Sequence, residues 1–528
     1  MKVVDLNEMR DIEAKTFGDF GFQENLVIEN VGIRAADFIE AEILEEKSYG
    51  EIIVLAGKGN NGADALAAGR HLRNRGYSVR AFLMWPDDKG SDEYQKQLGM
   101  AANFGVKISE LRSVDALATY FFQTQDEFLV IDGVFGTGFH PPLSNYMMEV
   151  FEIVNNQSSI TISLDMPSGI SGDNGSMGGN AIIADVTLAV GLPKTGYYAS
   201  EGAKRSGEIA VLDVGFPKVL TEEGDKYLLT PERVADLYRE RSRFAHKNTF
   251  GHCLVVGGSM GMTGALLMAS DAALKVGTGL VTAATWEENF MEVTSRITPE
   301  IMTGLIPTEK DEVDSIVKGL KRWDSIVIGP GLGRSKKSRD TVLQVLNHFA
   351  GPVVVDADAI RVLSLKEDME VFQRRKAPTI LTPHMGEFAD FAGVPKQNVL
   401  ANPIEYLREL VDQTNSAIVM KDSCTYLGFP NGEVYINYFP NDGLASGGSG
   451  DVLAGMLGGL LAQYLPEKKV SGMFEDKQKI YKALCLGVAV HTLAGKHAAE
   501  QLGVRAMTAG SITEHLTYAF KELDAFLE

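Results

Sequence analysis

The sequence predicts an α/β protein built as two successive parallel-sheet domains. Short apolar runs such as Ile52-Ile53-Val54-Leu55 and Val353-Val354-Val355 carry no polar alternation, the mark of strands covered by helices on both faces. Most of these runs end in a glycine-bearing polar turn and lead into a stretch of helical periodicity, the strand–turn–helix order of parallel sheets. At 528 residues the chain is too long for one ordinary hydrophobic core, so two domains are expected, over residues 1–222 and 228–528.

A hydrophobic content of 45% with 23% charged residues is that of a globular protein. The formal charge of −20 excludes a general surface for nucleic acid or anionic membrane, though not a small anion held by local dipoles and a few cations. Cys253, Cys424 and Cys485 are odd in number and far apart, which fits buried thiols in a reducing compartment and neither a disulfide framework nor a zinc site. The segment Met1–Glu8 lacks the apolar stretch of a signal peptide, and the most apolar runs are shorter than a bilayer span. A cytoplasmic protein with neither membrane nor nucleic-acid partner is expected.

Residues 5–46 have helical periodicity and are expected to give one or two helices over a sheet. Glu51–Gly57 reads as a buried strand, Lys58-Gly59-Asn60-Asn61-Gly62-Ala63-Asp64 as its turn, Ala65–Leu72 as the helix and Ser78–Trp85 as the next strand. The order recurs at Phe128–Asp132 before Gly133–Gly138 and at Ile160–Asp165 before Met166–Gly169; Ala184–Val190 and Glu208–Asp213 complete the sheet. Ligands of open α/β sheets bind at the carboxyl ends of strands. There the sequence places Asn61, Asp132 and Ser168, whose amide, carboxylate and hydroxyl oxygens suit an oxygen-liking cation. Each of them alone reads equally as a turn or capping residue. Asp165, at another strand end, suits binding a ligand hydroxyl or moving a proton.

The stretches Asn60-Asn61-Gly62-Ala63-Asp64, Asp132–Gly138 and Leu164-Asp165-Met166-Pro167-Ser168-Gly169 resemble, in order, the motifs of the NAD(P)H-hydrate epimerase family. The resemblance implies a Rossmann-like, three-layer domain that interconverts the R and S epimers of hydrated NADH and NADPH. It implies potassium at Asn61, Asp132 and Ser168. Substrate contacts would come from Asn60, Asn61, Gly62, Ala63 and Asp64, from Gly136, Thr137, Gly138, Phe139, His140, Pro141 and Pro142, and from Asp165, which would also be catalytic. Ala63 and Ala65 stand where the family has glycine-type residues, and a methyl there is expected to narrow the approach of the ligand. The domain also resembles non-catalytic modules of RNA-decapping scaffolds, which leaves a pure binding role open for this half alone.

Gly215-Phe216-Pro217 closes the first half, and Leu229-Thr230-Pro231-Glu232 opens a helix with an N-cap Thr and Pro at N1. Strands follow at His252–Gly258, Gly279–Ala284, Ser325–Gly329 and Pro352–Asp356. A small-residue helix beginning near Ala265 suits close approach of a backbone or ligand, or close core packing. His384 just past the strand Thr379–Thr382 reads as a structural group or as a ligand contact. Ser416–Lys421 is a strand ending in a cation, and Lys421 and Thr425 suit a nucleotide phosphate, with Lys421 as a surface charge the alternative. Last comes Gly447-Gly448-Ser449-Gly450-Asp451, which opens onto an apolar run of helix length. Free N–H groups and the positive dipole end make an anion site there. Asp451 suits a base towards a hydroxyl approaching a bound phosphate, or else an N-cap.

Alternating strands and helices with a late phosphate turn and an Asp base resemble the ribokinase-like fold. More narrowly, His246–His252, Gly258–Ala265, Asp356-Ala357-Asp358-Ala359, Thr382–Glu387 and Gly447–Asp451 resemble the NAD(P)H-hydrate dehydratase family, with Lys421-Asp422 in place of its Lys-Gly and Asn248 in place of a glycine. The resemblance implies dehydration of the S hydrate with ADP as co-substrate, and magnesium is expected for phosphoryl transfer. Ala265, Gly331 or Gly333, His384 and Asp451 would line the hydrate site, while Lys421, Asp422, Ser423, Cys424, Thr425 and Gly450 would take the nucleotide. Asp451 is the expected catalytic base. Two other readings stand beside this one: a ribokinase-type small-molecule kinase, and a non-catalytic nucleotide-binding scaffold. A homo-oligomer is expected.

Overall fold

The computed structural model describes residues 1–123, 127–156, 160–238, 241, 244–306, 322–465 and 473–525. They form two compact units, Lys2–Lys226 and Tyr227–Glu528 together with Met1.

The first unit is a seven-stranded sheet of β1 (Glu51–Ala56), β2 (Val79–Leu83), β3 (Lys107–Glu110), β4 (Phe128–Gly133), β5 (Ile160–Leu164), β6 (Val186–Val190) and β7 (Glu208–Leu212), in the order β3-β2-β1-β4-β5-β6-β7. Every neighbouring pair runs parallel. The absence of polar alternation in β1 has a direct cause. Ile52, Val54 and Ala56 join a core with the helices Leu6–Gly18, Glu24–Phe38 and Asn60–Asn74 on one face. Ile53 and Leu55 join a second core with the helices Val114–Gln123 and Asn145–Asn155 on the other. This is the expected Rossmann-like three-layer arrangement. The chain winds outward from β1 to β3, then returns to the far side at β4, so the strand order reverses between β1 and β4. A crevice opens at the carboxyl ends of strands flanking such a reversal.

The predicted N-terminal helical stretch is two helices, the second passing into a π-helical turn over Ile39–Leu44. The first is fixed at its start by a capping box between Asp5 and Glu8, and its Leu6 N–H donates to Asp173 Oδ1 at 2.8 Å.

The second unit is a ten-stranded sheet of β8 (Lys226–Leu228), β9 (His252–Val256), β10 (Leu280–Thr285), β11 (Met302–Leu305), β12 (Ser325–Ile328), β13 (Val353–Val355), β14 (Thr379–Leu381), β15 (Ala417–Lys421), β16 (Cys424–Gly428) and β17 (Val434–Tyr438), ordered β11-β10-β9-β12-β13-β14-β15-β16-β17-β8. From β11 to β15 the pairs are parallel. β15, β16 and β17 then fold back antiparallel. This is the expected ribokinase-like sheet, and its order reverses between β9 and β12.

The helix Ser449–Tyr464 lies across that reversal. Its apolar glycine-rich run is explained by packing: a Cβ on Gly455 would stand 2.0 Å from the Ala269 carbonyl oxygen, and one on Gly458 2.1 Å from Val327 Cγ2. Of the two readings of the small-residue helix that the sequence left open, close packing holds for Ala269, Ala272 and Ala273, all fully buried against this neighbour. Gly455→Leu is expected to cost at least roughly 1–3 kcal/mol of stability, the range for overpacking a core, read as a lower Tm. Among the described residues no helix is long and apolar enough to cross a membrane.

Candidate active sites

At the β1/β4 reversal of the first unit a cleft of about 480 Å³ is lined by Asn60, Asn61, Asp64, Gly136, Thr137, Gly138 and Asp165, with Trp85 and Phe135 among its apolar walls. The polar members are brought together tightly. Gly136 is indispensable to this: a Cβ there would lie 2.8 Å from Asp165 Oδ2 and 3.2 Å from Asn61 Cγ. The Thr137 N–H donates to Asp165 Oδ2 at 3.0 Å, and Lys194 Nζ donates to Asp165 Oδ1 at 2.6 Å. Lys194 is 1% exposed and gives a second proton to the Val190 carbonyl at 2.9 Å. Asp165 adopts a left-handed backbone, φ 62°, and its carbonyl accepts the Tyr197 hydroxyl. A strained non-glycine residue at a strand end, held by an ion pair and backbone contacts, is the kind of over-determined geometry found at catalytic groups. Asp64 adds a buried carboxyl held well above the usual carboxylate range by burial, and secondarily by the charge of Asp165; its Oδ1 has no hydrogen-bond partner.

Asp132 lies at the end of β4, fully buried, and accepts from Ser168 Oγ at 2.6 Å, the Ser168 N–H at 2.9 Å, Ser163 Oγ at 2.8 Å and the Val134 N–H at 3.2 Å. Burial pushes its pKa up, against these hydrogen bonds, which favour the charged form. The nearby turn leaves both polar atoms of the Asn61 amide buried without a partner.

Other residues expected to touch a ligand are placed differently. Gly62 and Ala63 are buried in the first turn of the helix Asn60–Asn74. The methyls of Ala63 and Ala65 point into the core, so they do not narrow the ligand's approach as the family comparison suggested. Phe139 packs on Phe135 behind the cleft wall, ring centroids 5.3 Å apart. His140, Pro141 and Pro142 are exposed and outside the cleft lining.

In the second unit the loops after β9, β12, β13, β14 and β15 converge with the first turn of the helix Ser449–Tyr464. Ser259 N–H donates to the Gly331 carbonyl at 2.5 Å, and a Cβ on Gly331 would lie 3.2 Å from Ala265 Cβ. Gly333 N–H donates to Asp358 Oδ2 at 3.0 Å, tying this loop to the end of β13. There Ala357 has φ 47°, a second strained residue at a strand end. Asp356, 1% exposed, accepts from Lys421 Nζ at 2.9 Å and from Thr382 Oγ1 at 2.6 Å. His384 caps the helix Met385–Ala392 by accepting at Nδ1 from the Gly386 and Glu387 N–H groups, and its Nε2 lies 3.1 Å from Arg361 Nη2. The capping role is therefore structural, yet the ring stays half exposed beside Lys421, with which His384 forms a parallel bridge.

Lys421 ends β15 beside the glycine turn; a Cβ on Gly450 would lie 3.2 Å from its Nζ. The N-cap is Gly448, φ 98°, so Asp451 is not a cap but the third residue of the helix. Burial raises the Asp451 carboxyl to about 7, the charge of Asp356 adds to this, and Lys421 opposes it. Cys424 is turned inward, its thiol pushed up by burial, while Asp422 and Ser423 are exposed at the hairpin tip and Thr425 pairs with Lys421 across it. Behind the turn His491 is buried and held neutral, lowered to about 4 by burial. Its Nε2 lies 3.2 Å from the Ser449 carbonyl, which can only accept, so that nitrogen carries the proton.

Sequence reasoning gave no role to Lys194, Tyr197, Asp356 or His491. Asp356 stood in a quoted motif, but its pairing with Lys421 joins two strand ends far apart in the chain. Lys194 and His491 carried no signal, since a lone Lys after a Pro and a lone His in an apolar helix read as ordinary residues.

The chain resembles known proteins in both units. A family model described as NAD(P)H-hydrate dehydratase matches residues 253–518, and one described as YjeF-related protein N-terminus matches residues 24–196. The bifunctional NAD(P)H-hydrate repair enzyme of Moorella thermoacetica is 33% identical over 542 residues, covering 100% of this chain and 98% of that protein. That of Thermofilum pendens is 31% identical over 530 residues, covering 99% and 97%. A solved structure of the ADP/ATP-dependent NAD(P)H-hydrate dehydratase of Bacillus subtilis, co-crystallised with ATP and Mg2+, is 27% identical, covers 56% of this chain and 98% of that one, and has a TM-score of 0.48. By full-length similarity to these relatives, this chain belongs to the family of bifunctional NAD(P)H-hydrate repair enzymes.

Proposed function

We propose that the first unit interconverts the R and S hydrates of NADH and NADPH at the Asp165 cleft, and that the second dehydrates the S hydrate with ADP at Asp451. The observation that carries the reading is the setting of Asp451: a carboxyl raised to about 7, in the first turn of a helix whose N-terminal N–H groups suit a phosphate, beside Lys421. A base poised near neutral pH next to an anion site suits a hydroxyl about to take a phosphoryl group. Asp451 accepts the hydroxyl proton as that oxygen attacks the terminal phosphorus of ADP and AMP leaves. Loss of phosphate, with a proton from the adjacent ring carbon, then restores the ring double bond. Lys421, Thr425 and the backbone at Gly450 would hold the nucleotide, and Ala265, Gly331, Gly333 and His384 the hydrate.

Potassium fits the first unit. Asn61 offers an unpartnered buried amide, and Asp132 is a fully buried carboxylate whose recorded partners are all neutral donors. Asn61, Asp132 and Ser168 would hold the ion, which would supply a positive partner for the Asp132 carboxylate. Magnesium fits as an ion arriving with the nucleotide, since it takes one or two carboxylates plus phosphate oxygens. Three buried thiols agree with a reducing, cytoplasmic setting.

Incubation with hydrated NADH and ADP, followed by dihydronicotinamide absorbance, tests the reading. Recovery of absorbance is expected from both epimers. A kinase would consume nucleotide without restoring it, and a scaffold would do neither. Asp165→Asn is expected to slow R-to-S interconversion by about 10²-fold or more, the size of a lost acid–base group, while dehydration of purified S hydrate continues. Unchanged interconversion would remove Asp165 from catalysis.

A further inference from the structure

Within the first unit read as an epimerase, we propose that Glu13 is a second catalytic residue of that cleft, the proton donor to the departing hydroxyl, working with Asp165 as acceptor. Glu13 comes from the N-terminal helix and lines the same cleft as Asp165, Lys194, Asn61 and Asp64. Its helix is held in place by the Asp5–Glu8 capping box, by the bond from Leu6 to Asp173, and by Met9 and Ile12, which are 2% and 5% exposed. A carboxyl on a pinned helix keeps its geometry. The charged groups facing it are Asp165 after β5, Lys194 after β6, Glu24 and Asp64 on the two neighbouring helices, and Arg10 on its own helix. Burial, and after it the charge of Asp165, raises Glu13 to about 7, so it carries a proton near neutral pH. Asp165, by contrast, is paired with an ammonium. The cleft thus holds one proton-bearing and one ion-paired carboxyl, the division that acid–base catalysis uses. The unpartnered Asp64 Oδ1 leaves a polar position in this cleft for a ligand to complete.

The chemistry needs two such groups. Hydration puts the hydroxyl on the ring carbon beside the ring nitrogen, making a carbinolamine. Glu13 protonates the hydroxyl; the C–O bond breaks, its electron pair leaving with water, and the nitrogen lone pair forms a C=N bond. The ring carbon is now planar and its configuration is lost. Water adds to the opposite face, the C=N pair returns to nitrogen, and the surplus proton passes to Asp165. Glu13 has lost one proton and Asp165 has gained one, so the reverse reaction uses them in exchanged roles. No co-reactant is consumed.

The test measures R-to-S interconversion by the full chain across pH. The wild type is expected to lose rate above about pH 7 as Glu13 deprotonates. Glu13→Gln is expected to lower kcat by about 10²-fold or more, with KM changed only a few-fold, to abolish that alkaline limb and to melt like the wild type. Glu13→Asp is expected to recover part of kcat together with the limb. Retention by Glu13→Gln of both kcat and the limb, or a change in KM alone, overturns the assignment of Glu13 while leaving the epimerase reading intact. A wild-type chain that shows no interconversion overturns both.

Discussion

Replacing Asp451 by Asn is expected to lower ADP-dependent dehydration of the S hydrate by on the order of 10²–10⁴-fold, the contribution of a general base. The substitution keeps the shape of the helix turn and removes only proton acceptance. Its pH signature is specific. The carboxyl is raised from 3.8 to about 7, so the wild-type kcat/KM is expected to rise with pH through a limb near 7, where the carboxylate forms. Asp451→Asn is expected to have no such limb. Stability moves the opposite way. Between 3.8 and about 7 the folded state holds a proton that the unfolded chain releases, so this group's contribution to stability falls as pH rises through that window. Near-normal dehydration by purified Asp451→Asn enzyme would refute the assignment.

The second large effect is expected at Lys194→Met in the first unit. The ammonium is 1% exposed and meets Asp165 Oδ1 at 2.6 Å. Removing one partner of such a buried pair leaves an uncompensated charge and costs roughly 3–5 kcal/mol. For a unit of this size that lowers Tm by on the order of 10 °C, visible by scanning calorimetry as a shift of one transition. Interconversion is expected to fall with it, because Asp165 loses the ammonium that holds its carboxyl in place. The double variant Lys194→Met with Asp165→Asn is expected to regain part of the lost stability, since the stranded charge is gone. A single Lys194→Met variant that melts like the wild type would show that the pair contributes nothing to the fold.

Much of the fold was legible because its signals are local. Unbroken apolar runs require two covered faces, and in β1 alternate residues do enter two separate cores. Thr230 before Pro231 marked the start of a helix, which the structure places at Pro231–Ala235. The glycine turns at strand ends marked where ligand groups gather, and Asn61, Asp132 and Ser168 do lie near one another through hydrogen bonds and shared neighbours. Less legible were contacts between residues distant in the chain and the direction in which a side chain points. The methyls of Ala63 and Ala65 could be placed in the core only once a sheet and two helices surrounded them. That the N-cap is Gly448, with a left-handed backbone, was not legible in a glycine-rich string, where any of three glycines can adopt that conformation.

The sequence by itself determined the two parallel-sheet units, the strand ends that carry polar groups, and Asp165 and Asp451 as the carboxylates to watch, because strand pattern and turn chemistry depend on near neighbours. Only the tertiary structure decided what those carboxylates are. Lys194, distant in sequence from Asp165, folds against it and pairs with it. Burial, and after it the charge of Asp356, not any residue beside it in the chain, raise Asp451 towards neutrality. Protonation is set by desolvation and by charges a few ångströms away, and those distances exist only after the chain has folded.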